Sequence, residues 1–181
     1  MKFKKFKFKK VRSTNNTAIR IIKKTNCKYG MVISESQTNG KGQYGRNWIS
    51  YKGNLFVTFF HELNKIKLSI STLTLLNCLL VKKLISKYTN KKILYKKPND
   101  LFIDKKKICG ILQEIIFKQN KKYLITGIGI NINKSPYIKK CPTTNLKDLT
   151  NKHIKINEIE KSLRQIFENN LLNIYNLKAY N

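Results

Sequence analysis

The sequence predicts an α+β fold: a single domain with a mixed, largely antiparallel sheet flanked by helices. Three observations predict it. Near the N-terminus apolar residues alternate with lysines, the period of a strand with one buried face. Residues 68–88 and those from 157 onward carry apolar side chains at helical spacing. Between these two segments, residues 91–133 break into short apolar runs divided by turn signals, which reads as successive hairpin strands. With no internal repeat and no linker, this order fits one α+β domain.

The opening "MKFKKFKFKKVRSTNN" places Phe6, Phe8 and then Val11 between lysines. A basic tail for nucleic acid is the competing reading, but a tail does not need phenylalanine at every second position. Ser13-Thr14-Asn15 offers an N-cap, and "NTAIRIIKK" follows it as a short helix. Met31-Val32-Ile33 is read as a strand entering a glycine-rich loop, and Leu55-Phe56-Val57-Thr58-Phe59-Phe60 as a strand leaving it. The segment "LSISTLTLLNCLLVKKLISKY" is the longest helix pattern. "KKILYKKPNDLFIDKKKICGILQEIIF" then reads as strand, turn, strand, turn, strand, with Pro98-Asn99-Asp100 and Asp104-Lys105-Lys106 as the turns. "KYLITGIGININ" is another strand. Asn157, with Glu160 three residues on, resembles a capping box. It would open a helix carrying Ile159, Leu163, Ile166, Phe167 and Ile174 on one side.

The loop between the second and third strands is "SQTNGKGQYGRNW". The chain has only 8 glycines, and this stretch holds a GxGxxG pattern with the single tryptophan just behind it. A dinucleotide-binding turn needs a helix to begin at the loop, because the helix N-terminus holds the pyrophosphate. Here another turn signal and a strand follow instead, so that reading fails on context. A kinase loop does run from strand to strand, but the HRD and DFG segments are absent. The local chemistry still favours an anion. Glycines let backbone N–H groups approach it, Lys41 and Arg46 add charge, and Trp48 offers a flat face to a base. Gln37 suits an amide or ureido group. A surface hairpin with a core tryptophan is the competing reading of this stretch alone.

Composition narrows the classes. There are 38 Lys+Arg against 9 Asp+Glu, a formal charge of +29. Such a chain attracts polyanions. Its abundance of Lys, Asn and Ile is also what AT-rich codons produce, so drift alone is sufficient to supply much of the charge. The 4 cysteines stand far apart with no CxxC pair, which argues against zinc and for reduced thiols in the cytoplasm. His61 and His153 are isolated among polar residues and are expected at the surface. No apolar run reaches the length of a membrane helix.

Seven of the eight glycines fall in three clusters: 40–53, Gly110, and Gly127 with Gly129. "STN" at 13–15, "QTNGKGQYGRNWISYKGNLF" at 37–56, "KKPNDLFIDKKKICGILQE" at 96–114 and "GIGININ" at 127–133 resemble, in order and spacing, the catalytic domain of biotin protein ligases. The tail "TTNLKDLTNKHIKINEIEKSLRQIFE" is similar to the end of that domain. The resemblance implies a class II aminoacyl-tRNA synthetase/biotin ligase-like fold and an ATP-dependent biotin–[acetyl-CoA-carboxylase] ligase. Such an enzyme joins biotin and ATP, with Mg²⁺, into biotinyl-5′-AMP. It then passes biotin to a lysine of the biotin carboxyl carrier protein of acetyl-CoA carboxylase. Residues 1–181 would be that catalytic domain alone, with no N-terminal helix-turn-helix, no C-terminal SH3-like domain and no operator DNA binding. A homodimer is left open.

The resemblance also assigns roles. Lys107 matches the lysine bridging the biotin carboxylate and the α-phosphate, and Lys41 the loop cation beside them. Ser13, Thr14, Gln37, Gly40 and Gly110 match biotin contacts. Gln43, Arg46, Trp48, Asn99 and Asn131 fall on the ATP and adenylate side, with Trp48 stacking on adenine. Asp100 would orient or deprotonate the acceptor lysine, or simply shape its turn. No protein metal ligand is expected. Two departures stand out. The resembled loop usually carries arginine where Gln43 stands, so retention of the adenylate is expected to be looser. Lys97 replaces the usual tryptophan before Pro98. The rival readings are a lipoate ligase or octanoyltransferase of the same fold, and a basic RNA-binding module. RNA binding driven by charge should collapse between about 50 and 200 mM salt.

Overall fold

The computed structural model describes residues 2–63 and 68–176, without the side chains of 171–176. In chain order the elements are β1 (Lys4–Phe8), α1 (Thr14–Lys24), β2 (Tyr29–Ser34), β3 (Gly40–Lys41), a 3-10 turn (Gln43–Gly45) and β4 (Asn47–Trp48). Then come β5 (Leu55–Glu62), α2 (Ile70–Ile85), β6 (Ile93–Lys96), β7 (Asp100–Ile103), β8 (Lys106–Lys118), β9 (Lys121–Ile130), α3 (Leu146–Thr150) and α4 (Ile156–Asn176). Seven strands form one sheet in the order β1-β2-β5-β9-β8-β7-β6, and β3 and β4 form a separate ribbon. Within the sheet β1 runs parallel to β2, and the other neighbours are antiparallel. The α+β class with a mixed, largely antiparallel sheet is therefore what the chain adopts.

Alternation along the strands divides the core between the two faces of the sheet. Met31, Ile33, Leu55, Val57, Phe59, Ile128 and Ile130 point to the face covered by α2 and α4. Val32, Phe60 and Ile125 point to the other face, where Ala18 and Ile22 of α1 cover them. Ser13 caps α1 as its sequence predicts: its backbone is extended and its hydroxyl accepts from the Asn16 N–H. The same device starts α2, where Ser69 accepts from the Thr72 N–H.

Three expectations change, and the first strand gains a buried neighbour. Within β1 the one apolar face is as expected, since Lys5 and Lys7 on the other face are exposed, but Phe3 just before the strand is buried. Phe6 and Phe8 pack under α1, whereas Phe3 goes to the opposite face, where its ring tilts against Phe59, itself stacked on Phe167. Fully burying such a ring contributes about 1.5–3 kcal/mol. Asn157 does not cap α4; it lies one residue inside the helix, and Glu160 reaches Lys5 in an ion pair instead. Ile174 of that helix lies outside the described side chains. The short α3, capped by the Asn145 side chain on the Asp148 N–H, is an element that periodicity did not reveal. His61 is not at the surface but buried in β5. It alternates with its strand neighbours in a run with no exposed residue, and polar flanks at 62 and 64 had suggested otherwise. His153 is exposed, as expected.

Burial depresses the His61 pKa from 6.5 to about 3. The native imidazole is thus neutral through the range in which the unfolded one takes up a proton. The unfolded state binds the extra proton between those values, so stability is lost as pH falls through that window. The slope approaches about 1.4 kcal/mol per pH unit for one such group. His61→Leu should therefore flatten the fall in the urea midpoint between pH 7 and 4. Parallel curves for the wild type and the variant would contradict this.

Candidate active site

The face of the sheet that α1 covers is only half covered. Beyond Phe60 and Ile125 the register aligns Thr58 with Gly127, Phe56 with Gly129, Leu112 with Gly127, Gly110 with Gly129, and Asp100 with Gly110. Side chains on alternate positions of these strands share one face. Here that face carries three glycines where other positions carry bulk, and a floor is left open. The space above it is already claimed. A Cβ on Gly127 would lie 2.2 Å from Asn15 Oδ1. One on Gly129 would lie 2.4 Å from the Trp48 ring, and one on Gly110 would lie 2.7 Å from the same ring. The resulting cavity measures about 560 Å³, within the range of small-molecule sites.

The glycine loop forms its roof. β3 and β4 pair Gly40 with Trp48 and Lys41 with Asn47. Tyr44 at φ 55° and Gly45 at φ 72° make the reversal between them. Two of the loop's N–H groups are used internally, Gly42 N–H to Arg46 O at 2.7 Å and Arg46 N–H to Gln43 O at 3.1 Å. The loop is thus a braced hairpin, and its Lys41, Gly42, Gln43 and Arg46 line the cavity. Gly40 does not line the cavity. It is pinned below the roof, where a Cβ would meet Trp48 O at 2.5 Å and the Gln37 amide at 2.9 Å.

Lys107 reaches the cavity through a bulge. Asp100 pairs with Gly110 and Leu101 with Cys109, but Phe102 pairs with Lys107, so Ile108 is the extra residue on β8. Strict alternation would put Lys107 on the opposite face from Gly110. The bulge returns it to the same face as Asp100. Its backbone is fixed on both sides: its N–H donates to Pro142 O at 2.8 Å, and its carbonyl accepts from Thr144 N–H at 2.9 Å. Lys107 Nζ lies 2.7 Å from Asp100 Oδ1 and 5.4 Å from the centroid of the Trp48 ring. Beside it, Cys109 faces the core, and burial raises its thiol well above the ordinary value; burial likewise takes Cys78 up to about 12. These thiols are inert at neutral pH.

The other predicted residues surround the same cavity. Ser13, Thr14 and Gln37 close its inner end, where Gln37 Oε1 accepts from the Thr14 N–H at 2.8 Å and its amide nitrogen donates to Ser50 Oγ at 3.0 Å. Lys41, Gln43, Arg46 and Trp48 come from the roof, Asn99 and Asp100 from the β6–β7 turn, and Gly110 and Asn131 from the sheet. Asn99 ties its turn to β8 by donating to Ile111 O at 2.6 Å. Asn131 donates to Thr144 O at 3.1 Å. The structure brings all these residues together; only Gly40 stands outside the lining.

Sequence reasoning passed over four contributors. Asn15 ties α1 to the floor, accepting from Thr58 Oγ1 at 2.7 Å and donating to Glu114 Oε2 at 2.7 Å. Its place in "STN" was the signal. Lys96, Lys97 and Lys140 also face the cavity. They approach from a turn and a loop far from the glycine stretch; Lys96 and Lys97 lie in the quoted stretch 96–114, and nothing in the spacing of Lys140 reveals it. Of the described residues lining this cavity, Asp100 is the sole carboxylate among six cations. Buried polar atoms of Gln43, Trp48 and Asn131 have no hydrogen-bond partner. Buried polar groups are nearly always satisfied, so these atoms point to a ligand that would complete them. The arrangement is a positively charged, apolar-floored slot suited to a molecule with anionic groups and a planar ring.

Residues 7–131 match the model of the biotin/lipoate A/B protein ligase family. The chain belongs to this family. It is 31% identical over 126 residues to the bifunctional ligase/repressor BirA of Bacillus subtilis, covering 68% of this chain and 39% of that protein. It is 31% identical over 102 residues to BirA of Escherichia coli, covering 55% and 32%. The chain thus spans about a third of the length of the curated relatives it matches. Among solved structures it resembles the biotin protein ligase of Aquifex aeolicus in complex with biotin and ATP. That TM-score is 0.79 at 30% identity, over 97% of this chain and 73% of the other. A putative lipoate protein ligase of T. acidophilum shares the fold, with a TM-score of 0.67 at 12% identity.

The packing of Trp48 on the glycine floor is directly measurable, since it is the single tryptophan. Gly129→Ala should push the indole off the floor, moving its fluorescence to longer wavelength and increasing its quenching by acrylamide. Emission and quenching identical to wild type would show that the ring does not rest there.

Proposed function

We propose that this chain is a biotin protein ligase acting in two steps at the cavity over Gly110, Gly127 and Gly129. A carboxylate oxygen of biotin attacks the α-phosphorus of ATP, the bond to the bridging oxygen breaks, and pyrophosphate leaves. A lysine amine of a biotin carboxyl carrier protein then attacks the acyl carbon, loses a proton, and AMP departs. The observation that carries this reading is Lys107. It is held rigidly at the meeting point of cations, unpartnered polar atoms and a ring-sized floor, in a chain of this ligase family.

The chemistry needs position and charge more than acid–base groups. Two anions must meet against their repulsion, which preorganised cations offset at low reorganisation cost. In the free chain Asp100 neutralises Lys107. When the anions arrive, Lys107 exchanges this carboxylate for their oxygens, and Asp100 is released to accept the proton of the acceptor lysine. Trp48 and Asn131 would receive the adenine, the indole through its face and the amide through its unpartnered oxygen. Mg²⁺ enters with the triphosphate as part of that substrate. The polar inner end formed by Ser13, Thr14 and Gln37 suits the ureido ring of biotin better than the apolar dithiolane of lipoate. A carrier of this kind, and a reducing cytoplasm, agree with free thiols at Cys27, Cys78, Cys109 and Cys141.

Lys107→Ala should lower biotin-dependent ATP–pyrophosphate exchange by about 10²- to 10³-fold, the loss expected for one preorganised charge contact. Circular dichroism and melting should stay close to wild type, because the backbone of residue 107 keeps both its hydrogen bonds. Exchange within threefold of wild type would remove Lys107 from the reaction. Exchange that lipoate, and not biotin, supports would replace the substrate.

A further inference from the structure

Asn54 stands just ahead of β5, in the turn that follows the glycine loop, and is 2% exposed. Gly53 before it has φ 99°, a backbone conformation that glycine adopts without strain. The Asn54 N–H donates to Tyr51 O at 3.2 Å, so the turn is closed by its own backbone. The side chain reaches outside it. Its Oδ1 accepts from three consecutive N–H groups: Ile132 at 2.9 Å, Asn133 at 3.0 Å and Lys134 at 3.1 Å. Its Nδ2 donates to Lys134 O at 2.9 Å. The Asn133 amide returns a bond to Gly53 O at 3.0 Å.

The place of these bonds gives them a consequence for the cavity. The β5–β9 ladder ends where Leu55 pairs with Ile130. Past that pair the N–H groups of residues 132–134 have no strand to bond, and backbone donors away from water need partners. One side-chain oxygen takes all three, and so fixes the direction in which the chain leaves the sheet. Asn131 stands at this exit. Residues 134–143 run from it to form one wall of the cavity, contributing Pro136, Ile138, Lys140, Cys141 and Thr143. The far foot of that wall is held at Lys107, whose carbonyl accepts from the Thr144 N–H at 2.9 Å. Bonds from Thr143 Oγ1 to Pro136 O and from Asn145 Nδ2 to Ser135 Oγ tie the wall to itself. Its near foot meets the sheet through Asn54. Asn54 itself does not line the cavity.

Resting on the proposed ligase reading, we propose that Asn54 is a positioning residue for the nucleotide. It sets the bend at 132–134, and thereby the place of Asn131 and of the 134–143 wall against the adenine and its phosphates. The biotin end has bonds of its own, from Gln37 to Thr14 and Ser50, and does not depend on this bend.

The test separates the two ends of the cavity. Asn54→Ala leaves three donors and one carbonyl without their partner. Its KM for ATP in biotin-dependent exchange should rise about tenfold, the kind of loss that follows a small misplacement of binding groups. Its dissociation constant for biotin, from equilibrium dialysis without nucleotide, should match wild type. Asn54→Asp keeps the acceptor but sets a carboxylate oxygen against Lys134 O. It should raise the same KM by a smaller factor and leave biotin binding alone. Val81→Ala, which removes buried bulk from α2 on the other face of the sheet, should lower Tm and change neither constant. An unchanged KM for ATP in Asn54→Ala overturns the proposal. So does an equal weakening of biotin binding, or a rise in the ATP KM of Val81→Ala as large as that of Asn54→Ala, since each makes Asn54 a general brace. Should Asn54→Ala not fold, Asn54→Asp decides by the same two constants. Absence of biotin-dependent exchange in the wild type would instead overturn the ligase reading beneath the proposal.

Discussion

The active-site region depends on a stretch of sheet that has no side chains on one face. At Gly110, Gly127 and Gly129 the strands β8 and β9 present bare backbone, and everything above them is placed by that fact. Asn15 settles over Gly127 and so fixes where α1 begins. Trp48 settles over Gly110 and Gly129 and so fixes how far the glycine loop descends. A methyl group at any of the three would meet a neighbour closer than real Cβ atoms come. The core on the opposite face, under α2 and α4, is ordinary in its alternation, and it lets these strands give up packing on the site side. Apolar burial stabilises one face, and the vacancy serves the other.

Electrostatics sets the second condition. Six cations converge on a cavity that holds one carboxylate, and such a group repels itself unless an anion joins it. The free chain answers with the Lys107–Asp100 pair and with Lys107 poised over the indole. Both are exchangeable contacts, since each partner remains partly open to solvent. On the proposed reading the unliganded pair is a resting arrangement that phosphate and carboxylate oxygens break. Charge elsewhere on the chain is largely a solvated surface, and it adds attraction for anions without adding position.

Much of this was legible in the sequence, for physical reasons that differ by residue. Ser13, Met31–Ile33, the 70–85 helix and the turns around Pro98 and Lys105 follow local rules that act over a few residues. The glycine clusters were legible as close approach because this chain uses glycine so sparingly. Other features depend on register, which no local pattern encodes. The bulge at Ile108 decides which face Lys107 occupies. Phe3 lies outside the alternation of Phe6 and Phe8, yet it is the more deeply buried because it precedes β1 and its ring meets Phe59 in the core on the opposite face. His61 and Glu160 take their environments from β9 and β1, far away in the chain. The missing side chain of Gly40 makes room for Gln37 and the Trp48 carbonyl, a contact that depends on the pairing of β3 with β4.

The most direct test is a crystal structure of the chain with a non-hydrolysable biotinyl-adenylate analogue. The account predicts the bicyclic ring over Gly127 and Leu112 at the end closed by Ser13 and Gln37, and the adenine against Trp48 and Asn131. It also predicts Lys107 Nζ within about 3 Å of a phosphate oxygen, parted from Asp100. A ligand bound away from the three glycines, or a Lys107–Asp100 pair left intact beside it, would contradict the account.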